Sequence, residues 1–167
     1  MNNVTIRPMS SKTELAACAR MMSCSSPWCI LHFSEQQCID NLGHPEITLH
    51  VAKVAEILAG FVATRASGIE DEPLLEYICV DSKYRCQGIG GQMLRFVEEI
   101  LFPEADNLYL FVSDINPRAI ALYERVNYMR VGEFPNYNLF GQTEYLYRKF
   151  RRPRQERFIA KTTGKAN

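Results

Sequence analysis

A glycine-rich turn in the middle of the chain has the residue types that bind phosphate groups. The apolar run Leu74–Val80 leads into a loop that contains Arg85 and, at the start of an amphipathic segment, Gly88, Gly90 and Gly91. The first N–H groups of a helix have no partner within it, and the helix dipole is positive at that end. Glycine allows close approach because it has no Cβ, and arginine adds a fixed charge. We therefore predict a turn that binds phosphate or pyrophosphate.

The spacing of these glycines distinguishes between kinds of phosphate-binding turn. The dinucleotide pattern G-x-G-x-x-G is broken because Met93 stands where the third glycine would be, and no Gly-Lys-Ser/Thr follows as in a Walker loop. The stretch from Arg85 to Gly90 reads R-C-Q-G-I-G. It resembles the R/Q-x-x-G-x-G/A pyrophosphate loop of the GNAT superfamily of acetyl-CoA-dependent N-acetyltransferases. On this hexapeptide alone, a turn without a ligand remains the alternative.

A second motif follows the next predicted strand, in the order that the superfamily has. Residues 116–128 read N-P-R-A-I-A-L-Y-E-R-V-N-Y, similar to the GNAT stretch N-x-x-A-x-x-L-Y-x-x-x-G-F. Asn116 and Tyr123 lie about two turns apart on one side of a helix. The resemblance implies that Asn116 contacts the cofactor and that Tyr123 lies near the thioester sulfur. Considered alone, Tyr123 would be a half-buried core tyrosine. Asn127 replaces the usual glycine, at a helix end where asparagine tolerates left-handed geometry.

The resemblance implies a cofactor, acetyl-CoA, and a site for it. The backbone of the strand before the loop is expected to pair with the pantetheine arm as an added strand would. No metal site is expected, because the six cysteines form no CxxC pair. The residues that the resemblance assigns to coenzyme A are Ile78, Cys79, Val80, Arg85, Cys86, Gln87, Gly88, Ile89, Gly90, Gly91, Asn116 and Tyr123.

Acyl transfer to an amine requires a group that takes a proton from the ammonium and a group that gives one to the departing thiolate. Glu76 is the candidate base, because in a regular strand it would face the same side as Ile78 and Val80. The equally weighted alternative is a salt-bridged or solvent-facing glutamate. Tyr123 is the candidate donor to the thiolate, by resemblance to the family.

The acceptor is a primary amine of a small molecule or peptide that the sequence does not identify. Phe111 stands where GNAT enzymes that modify protein N-termini often carry a glutamate, which weakens that interpretation. Aromatic residues in the segments 24–33 and 134–142 are expected to enclose the amine, although simple packing of long loops is the alternative for each one. The candidate acceptor-binding residues are Trp28, Phe33 and Tyr137.

The elements that must position these residues alternate in type. Hydrophobic periodicity and end signals predict the order β-α-α-β-β-β-α-β-α-β-β, with a polar turn at 67–73. The fold class is α/β of the mixed α+β kind, namely the GNAT fold with a central mixed, mainly antiparallel twisted sheet and helices on both faces. The predicted strands are 4–7, 47–53, 57–65, 74–80, 108–112, 128–133 and 144–150, and the predicted helices are 11–22, 34–42, 88–101 and 116–126.

The totals predict one catalytic domain at 1–150 and a basic tail at 151–167. With 47% apolar residues and no net charge, the 167-residue chain is not a generic binder of nucleic acid. The start has no apolar signal core and no run reaches membrane-spanning length, so we expect a cytoplasmic protein without membrane contact. The alternatives are a non-catalytic acyl-CoA-binding module, a protein N-terminal or lysine acetyltransferase, and an RNA-binding tail. A homodimer through the last strands stays open.

Overall fold

The computed structural model describes residues 3–151, and these form one seven-stranded sheet with helices against it. The predicted tail lies outside the described residues except for Arg151. The elements are β1 (Val4–Pro8), α1 (Lys12–Ser23), α2 (Glu35–Leu42), β2 (Ile47–Val54), β3 (Ile57–Ile69), β4 (Glu72–Val80), a 3-10 turn (Ser82–Tyr84), α3 (Ile89–Phe96), a π-helical turn that continues it (Val97–Leu101), β5 (Asn107–Ser113), α4 (Pro117–Arg125), β6 (Met129–Pro135) and β7 (Thr143–Phe150).

The predicted element order and fold class are confirmed, and the polar turn predicted at 67–73 is wrong. The hairpin of β3 and β4 continues to a two-residue turn at Glu70 and Asp71, which both have positive φ angles of 55° and 62°. Such a turn matches the twist of the strands that it joins. The polar residues therefore mark the exposed end of a long hairpin and do not interrupt the strand.

Side chains at the helix ends explain why the helices begin where the sequence predicts. Ser11 Oγ accepts from the Glu14 N–H at 3.1 Å, and Ser34 forms a reciprocal capping box with Gln37. Asn127, at the end of α4, has a φ of 68°, the left-handed geometry that the sequence analysis expected of it.

Helices cover both faces of the sheet, and a hydrophobic core lies on each face. On one face α3 and α4 pack against the sheet, and on the other face α1 and α2 do. The order of the strands is β1-β2-β3-β4-β5-β7-β6, and only the β4–β5 pair is parallel. The mixed, mainly antiparallel sheet is therefore as predicted.

The parallel pair at the centre of the sheet is short. Strands β4 and β5 pair only at Leu74 with Tyr109 and at Leu75 with Leu110. On its other side, β4 stays paired with β3 as far as Val80. Beyond Leu75 the edge of β4 that faces β5 thus has no strand partner among the described residues. Backbone N–H and C=O groups require partners, so this edge is available to a ligand.

Candidate active site

A cleft of about 380 Å³ lies where β4 and β5 stop pairing. It opens toward both cores, because residues of α2 and of α4 contribute to its wall. The lining residues come from the loop before α2, from the middle of β4, from the end of β5, from α4 and from the β6–β7 hairpin. Predicted site residues that line it are Trp28, Phe33, Glu76, Ile78, Asn116, Tyr123 and Tyr137.

The glycine turn stands at the amino end of α3. Gly88 is the N-cap residue and has a φ of 81°, which a side chain would strain. A Cβ added at Gly88 or Gly91 would meet no atom within 4 Å, whereas one at Gly90 would lie 3.1 Å from Leu122 Cδ2. Gly90 thus serves the packing of α3 against α4. The space beside Gly88 and Gly91 fits a phosphate group that approaches the free N–H groups of the helix.

Arg85 binds to the end of β4 and to the loop before α2. Its Nε donates to the Val80 carbonyl at 3.1 Å and its Nη2 donates to Ser25 Oγ at 3.2 Å. The guanidinium therefore holds the turn in place, and a contact between it and a phosphate stays a prediction. The adjacent Cys86 has a φ of 62° and is exposed, while Gln87 Nε2 donates to the Lys83 carbonyl at 3.1 Å.

Cys79 lies in the part of β4 that has no strand partner on the β5 side, and its thiol points into a core. The side chain is buried in the core beneath α1 and α2, and its Sγ lies 3.5 Å from Ser25 Oγ. Burial raises the pKa of the Cys79 thiol to about 11, so the group stays neutral near pH 7. Only its backbone is suited to contact a ligand.

Asn116 and Tyr123 lie on α4 and both line the cleft. Asn116 Oδ1 accepts from the Ala119 N–H at 3.3 Å and caps the helix, which leaves the Nδ2 group for a ligand. Tyr123 is 4% exposed and packs against the rings of Tyr128 and Tyr147. Burial raises the pKa of the Tyr123 phenol well above its ordinary value, so the phenol is protonated near pH 7, as an ordinary tyrosine is, and is a weaker acid than an exposed one.

Glu76 does not follow the strict alternation that the sequence analysis assumed. Tyr77 pairs with Ala63 and Leu75 pairs with Thr64, so Glu76 is the extra residue of a β-bulge. Arg65 Nε donates to Glu76 Oε1 at 2.7 Å, and the same guanidinium also pairs with Glu46. Glu76 lines the cleft as a member of an ion pair, which is the alternative that the sequence left open.

A second carboxyl group in the cleft, Glu144, was missed by the sequence analysis. It stands on β7 directly opposite Ser113 of β5 and is 7% exposed. Burial raises the pKa of the Glu144 carboxyl, the nearby polar side chains of Asn138 and Ser113 oppose this rise, and the charge of Asp114 adds to it. The only signal in the sequence was an acidic residue at a strand start, and that signal is too common to select it.

Part of the cleft has aromatic walls. Trp28 and Tyr77 meet edge to face with ring centroids 6.2 Å apart. Phe111 contacts Phe134 at 5.6 Å and is parallel to the Tyr137 ring at 6.4 Å. The three predicted acceptor residues Trp28, Phe33 and Tyr137 are thus brought together with Tyr77 and Phe111.

Residues 3–151 contain no group of three or more His, Cys, Asp or Glu side chains that could hold a metal ion. No helix among them is both long and apolar enough to cross a membrane. All six cysteines are free thiols.

A glycine turn at a helix amino end, beside a split between two parallel strands, is an arrangement suited to an extended phosphate-bearing ligand. The model of the acetyltransferase (GNAT) family matches residues 15–128, more than half of the chain, so the chain belongs to this family. The assignment of the chain to this family from the two sequence motifs is thereby confirmed. A Mycobacterium leprae protein described as uncharacterised is 35% identical over 103 residues, and the match covers 59% of this chain and 28% of that protein. The matched part therefore spans less than a third of this relative's length.

Solved structures share the fold. The ribosomal-protein-S18-alanine N-acetyltransferase of Escherichia coli is 23% identical with a TM-score of 0.72, covering 90% of this chain and 96% of that one. An aminoglycoside 6'-N-acetyltransferase complexed with coenzyme A is 17% identical with a TM-score of 0.72, covering 90% and 98%. A GNAT acetyltransferase of Elizabethkingia anophelis with acetyl-CoA bound is 17% identical with a TM-score of 0.71, covering 90% and 99%. The acetyl-CoA prediction agrees with the ligands of the last two.

Proposed function

We propose that this protein transfers the acetyl group of acetyl-CoA to a primary amine of a small molecule or peptide by direct attack in a ternary complex. The observation that carries the proposal is the position of the glycine turn. The free N–H groups at the start of α3 stand at the open end of the split between β4 and β5, and that split leads to a cleft with carboxyl groups and a protonated phenol.

The residues around the split fit the cofactor. The N–H groups from Gly88 to Gly91 would bind the pyrophosphate, and the unpaired edge of Ile78–Val80 would bind the pantetheine arm as an added strand does. Asn116 Nδ2 would donate to the same arm. When bound, acetyl-CoA supplies an acetyl group activated as a thioester.

Two kinds of side chain in the cleft are suited to move protons. The Tyr123 phenol is protonated near pH 7, as an ordinary tyrosine is, and it lines the cleft, where it would donate this proton from Oη to a thiolate. Glu76 and Glu144 both line the cleft, and either carboxylate would take a proton from an ammonium group. Glu76 was predicted for this role, although its Oε1 is occupied by Arg65.

The setting proposed for this activity is the cytoplasm. Six free thiols suit a reducing compartment. We retain the proposal of one catalytic domain at 1–150 followed by a tail. Arg151 is the one residue of that tail that the structure describes, and it donates to the Glu98 and Phe102 carbonyls at 3.1 and 2.8 Å.

Calorimetric titration with acetyl-CoA tests the proposal first. The purified protein should bind acetyl-CoA with micromolar affinity, and Gly91→Glu should weaken binding at least about tenfold by placing a negative charge at the pyrophosphate site. The variant should fold normally, because a Cβ at Gly91 meets no atom within 4 Å and an acidic side chain suits a helix amino end.

The control is Ala66→Glu, which adds the same charge at an exposed position near the far end of β3. It should leave the affinity unchanged. Binding followed by release of free thiol with an amine present would separate an enzyme from a non-catalytic acyl-CoA module. A folded protein that does not bind acetyl-CoA would contradict the proposal.

A further inference from the structure

We propose that Glu144 is the group that takes the proton from the acceptor, and that the acceptor carries its ammonium on an aromatic or flat apolar body without a negative charge. This inference rests on the acetyl transfer proposed above and goes further by naming the base and the class of amine.

The position of Glu144 is the first observation. Its side chain is 7% exposed, yet it forms part of the cleft wall together with Asn116 and Tyr123 of α4. Ser113 lies opposite it on β5, where the two strands are in register. A carboxyl group held this way faces the ligand space and is shielded from bulk water. An ammonium brought into the cleft would find in it a desolvated negative partner.

The surroundings of Glu144 suit a base. The groups that face it are Ser113 of β5, Asp114 directly after β5, Asn138 of the β6–β7 loop and Phe134, its register partner on β6. None of these is a cation, and within residues 3–151 no ion pair holds Glu144. Burial and the charge of Asp114 raise the pKa of Glu144 toward the range in which a base works near neutral pH.

Glu76, unlike Glu144, is held in an ion pair. Arg65 Nε lies 2.7 Å from Glu76 Oε1, and Glu76 is the extra residue of the bulge in β4. Loss of the ion pair would leave the guanidinium of Arg65 with only Glu46. Glu76 is therefore better suited to anchor β4 on β3 than to exchange protons.

The walls and charges of the cleft determine the body of the acceptor. Five aromatic rings line it besides Tyr123, and among the lining residues that the structure describes there is no lysine, arginine or histidine. A carboxylate or phosphate on the acceptor would find no positive partner and would meet Glu144. A polycation would bring several positive charges into the cleft, and among the described lining residues Glu144 is the one carboxylate that is not in an ion pair. The five rings are those of Trp28, Phe33, Tyr77, Phe111 and Tyr137.

The proton balance of the reaction is then complete. The ammonium loses one proton to Glu144, and its nitrogen forms the C–N bond to the acetyl carbon as the C–S bond breaks. The second nitrogen proton leaves as the amide forms and replaces the proton that Tyr123 gives to the sulfur, while Glu144 releases the first proton to water. The sum is one amide, one thiol and one proton released to water.

The class of amine is tested by the release of free thiol from acetyl-CoA with three probes. They are 2-phenylethylamine, L-phenylalanine, which adds a carboxylate to the same body, and the polycation spermidine. We expect kcat/KM for 2-phenylethylamine to exceed the other two by at least about tenfold, because an unpaired buried charge is costly. Preference for either counterpart would overturn this inference and leave acetyl transfer intact. If acetyl-CoA binds and no amine is acetylated, the proposed function itself fails.

The role of Glu144 is tested by comparing Glu144→Gln with Glu76→Gln on whichever of these amines is used best. Glu144→Gln should lower kcat/KM about 10²-fold and remove the fall in rate at acid pH, since that fall reports protonation of the base. Glu76→Gln should retain the acid fall. The reverse result would overturn the assignment.

Folding and cofactor binding are measured on the same variants. For Glu144→Gln, thermal unfolding and the calorimetric affinity for acetyl-CoA should match the parent protein, whereas Glu76→Gln should unfold at a lower temperature because it loses the ion pair with Arg65. Glu144→Asp is included because it keeps the carboxylate if the glutamine does not fold. It should retain the acid fall in the pH profile at a lower rate, and its loss of that fall would contradict the proposal.

Discussion

Tyr123 shows how the environment of one side chain determines what chemistry it can do. A phenol is protonated near pH 7 whether it is exposed or buried. Tyr123, on α4, is 4% exposed, packs against Tyr128 and Tyr147, and also lines the cleft. Burial raises its pKa and makes it a weaker acid, so its proposed role at the leaving sulfur depends on its position in the cleft.

Replacing Tyr123 by phenylalanine should slow acetyl transfer without abolishing it. We expect kcat to fall about 10²-fold, as for loss of a general acid, while the affinity for acetyl-CoA changes little. Steady-state kinetics and calorimetry measure the two effects. Tyr128→Phe is the matched control, because Tyr128 packs on Tyr123 with centroids 5.9 Å apart and does not line the cleft. Equal loss of rate in both variants would assign Tyr123 to the core alone.

At the scale of elements, β1, α1 and β2 are joined by one carboxylate. Glu14, in the first turn of α1, accepts from Arg7 of β1 at 2.5 Å and pairs with Lys53 of β2 at 3.1 Å. Its carboxylate also accepts from the backbone N–H of Ser10 at 3.0 Å. The hydrogen bond from Arg7 is the main cause that holds the pKa of Glu14 well below its usual range.

Glu14→Gln should therefore destabilise the protein in a pH-dependent way. Because the folded state lowers the pKa of Glu14, its contribution is present above the unfolded pKa of about 4.3 and is lost as the pH falls toward the folded value. Thermal unfolding at pH 7 should show a lower Tm for the variant, and the difference should shrink below about pH 4. Glu56→Gln, at an exposed position 3.9 Å from Lys53, should have little effect. A Tm difference that is equal at all pH values would contradict this account.

At the scale of the whole molecule, the six cysteines divide into a buried set and an exposed set. Cys18, Cys38 and Cys79 are buried in the core beneath α1 and α2, and desolvation raises the pKa of each thiol. The other three cysteines are exposed in loops. Because the thiolate is the reactive form, only the exposed set should react in the folded protein.

A thiol titration with an aromatic disulfide reagent counts both sets. Three thiols per chain should react rapidly under native conditions, and all six should react in denaturant. Replacing the three exposed cysteines by serine should leave no rapid phase. Rapid reaction of a fourth thiol in the native protein would mean that the core beneath α1 and α2 opens more readily than its packing indicates. The exposed residues are Cys24, Cys29 and Cys86.

The local features of the molecule could be predicted because they depend on near neighbours in sequence. Helices α1, α2 and α4 begin at the predicted caps, and hydrophobic periodicity predicts the order of the elements along the chain. The glycine turn before α3 was found for the same reason, since its glycines and the helix that follows are contiguous. The family followed from two such contiguous motifs, each within fifteen residues of chain.

What the sequence by itself determined is therefore the set of elements, the fold class and the family. The tertiary structure alone decided three features of the site. Pairing of β4 with β5 ends at Leu75, the bulge turns Glu76 toward Arg65, and β7 inserts beside β5 and places Glu144 opposite Ser113. Each depends on strand register between segments far apart in the chain, and a shift of one residue would move every side chain to the other face.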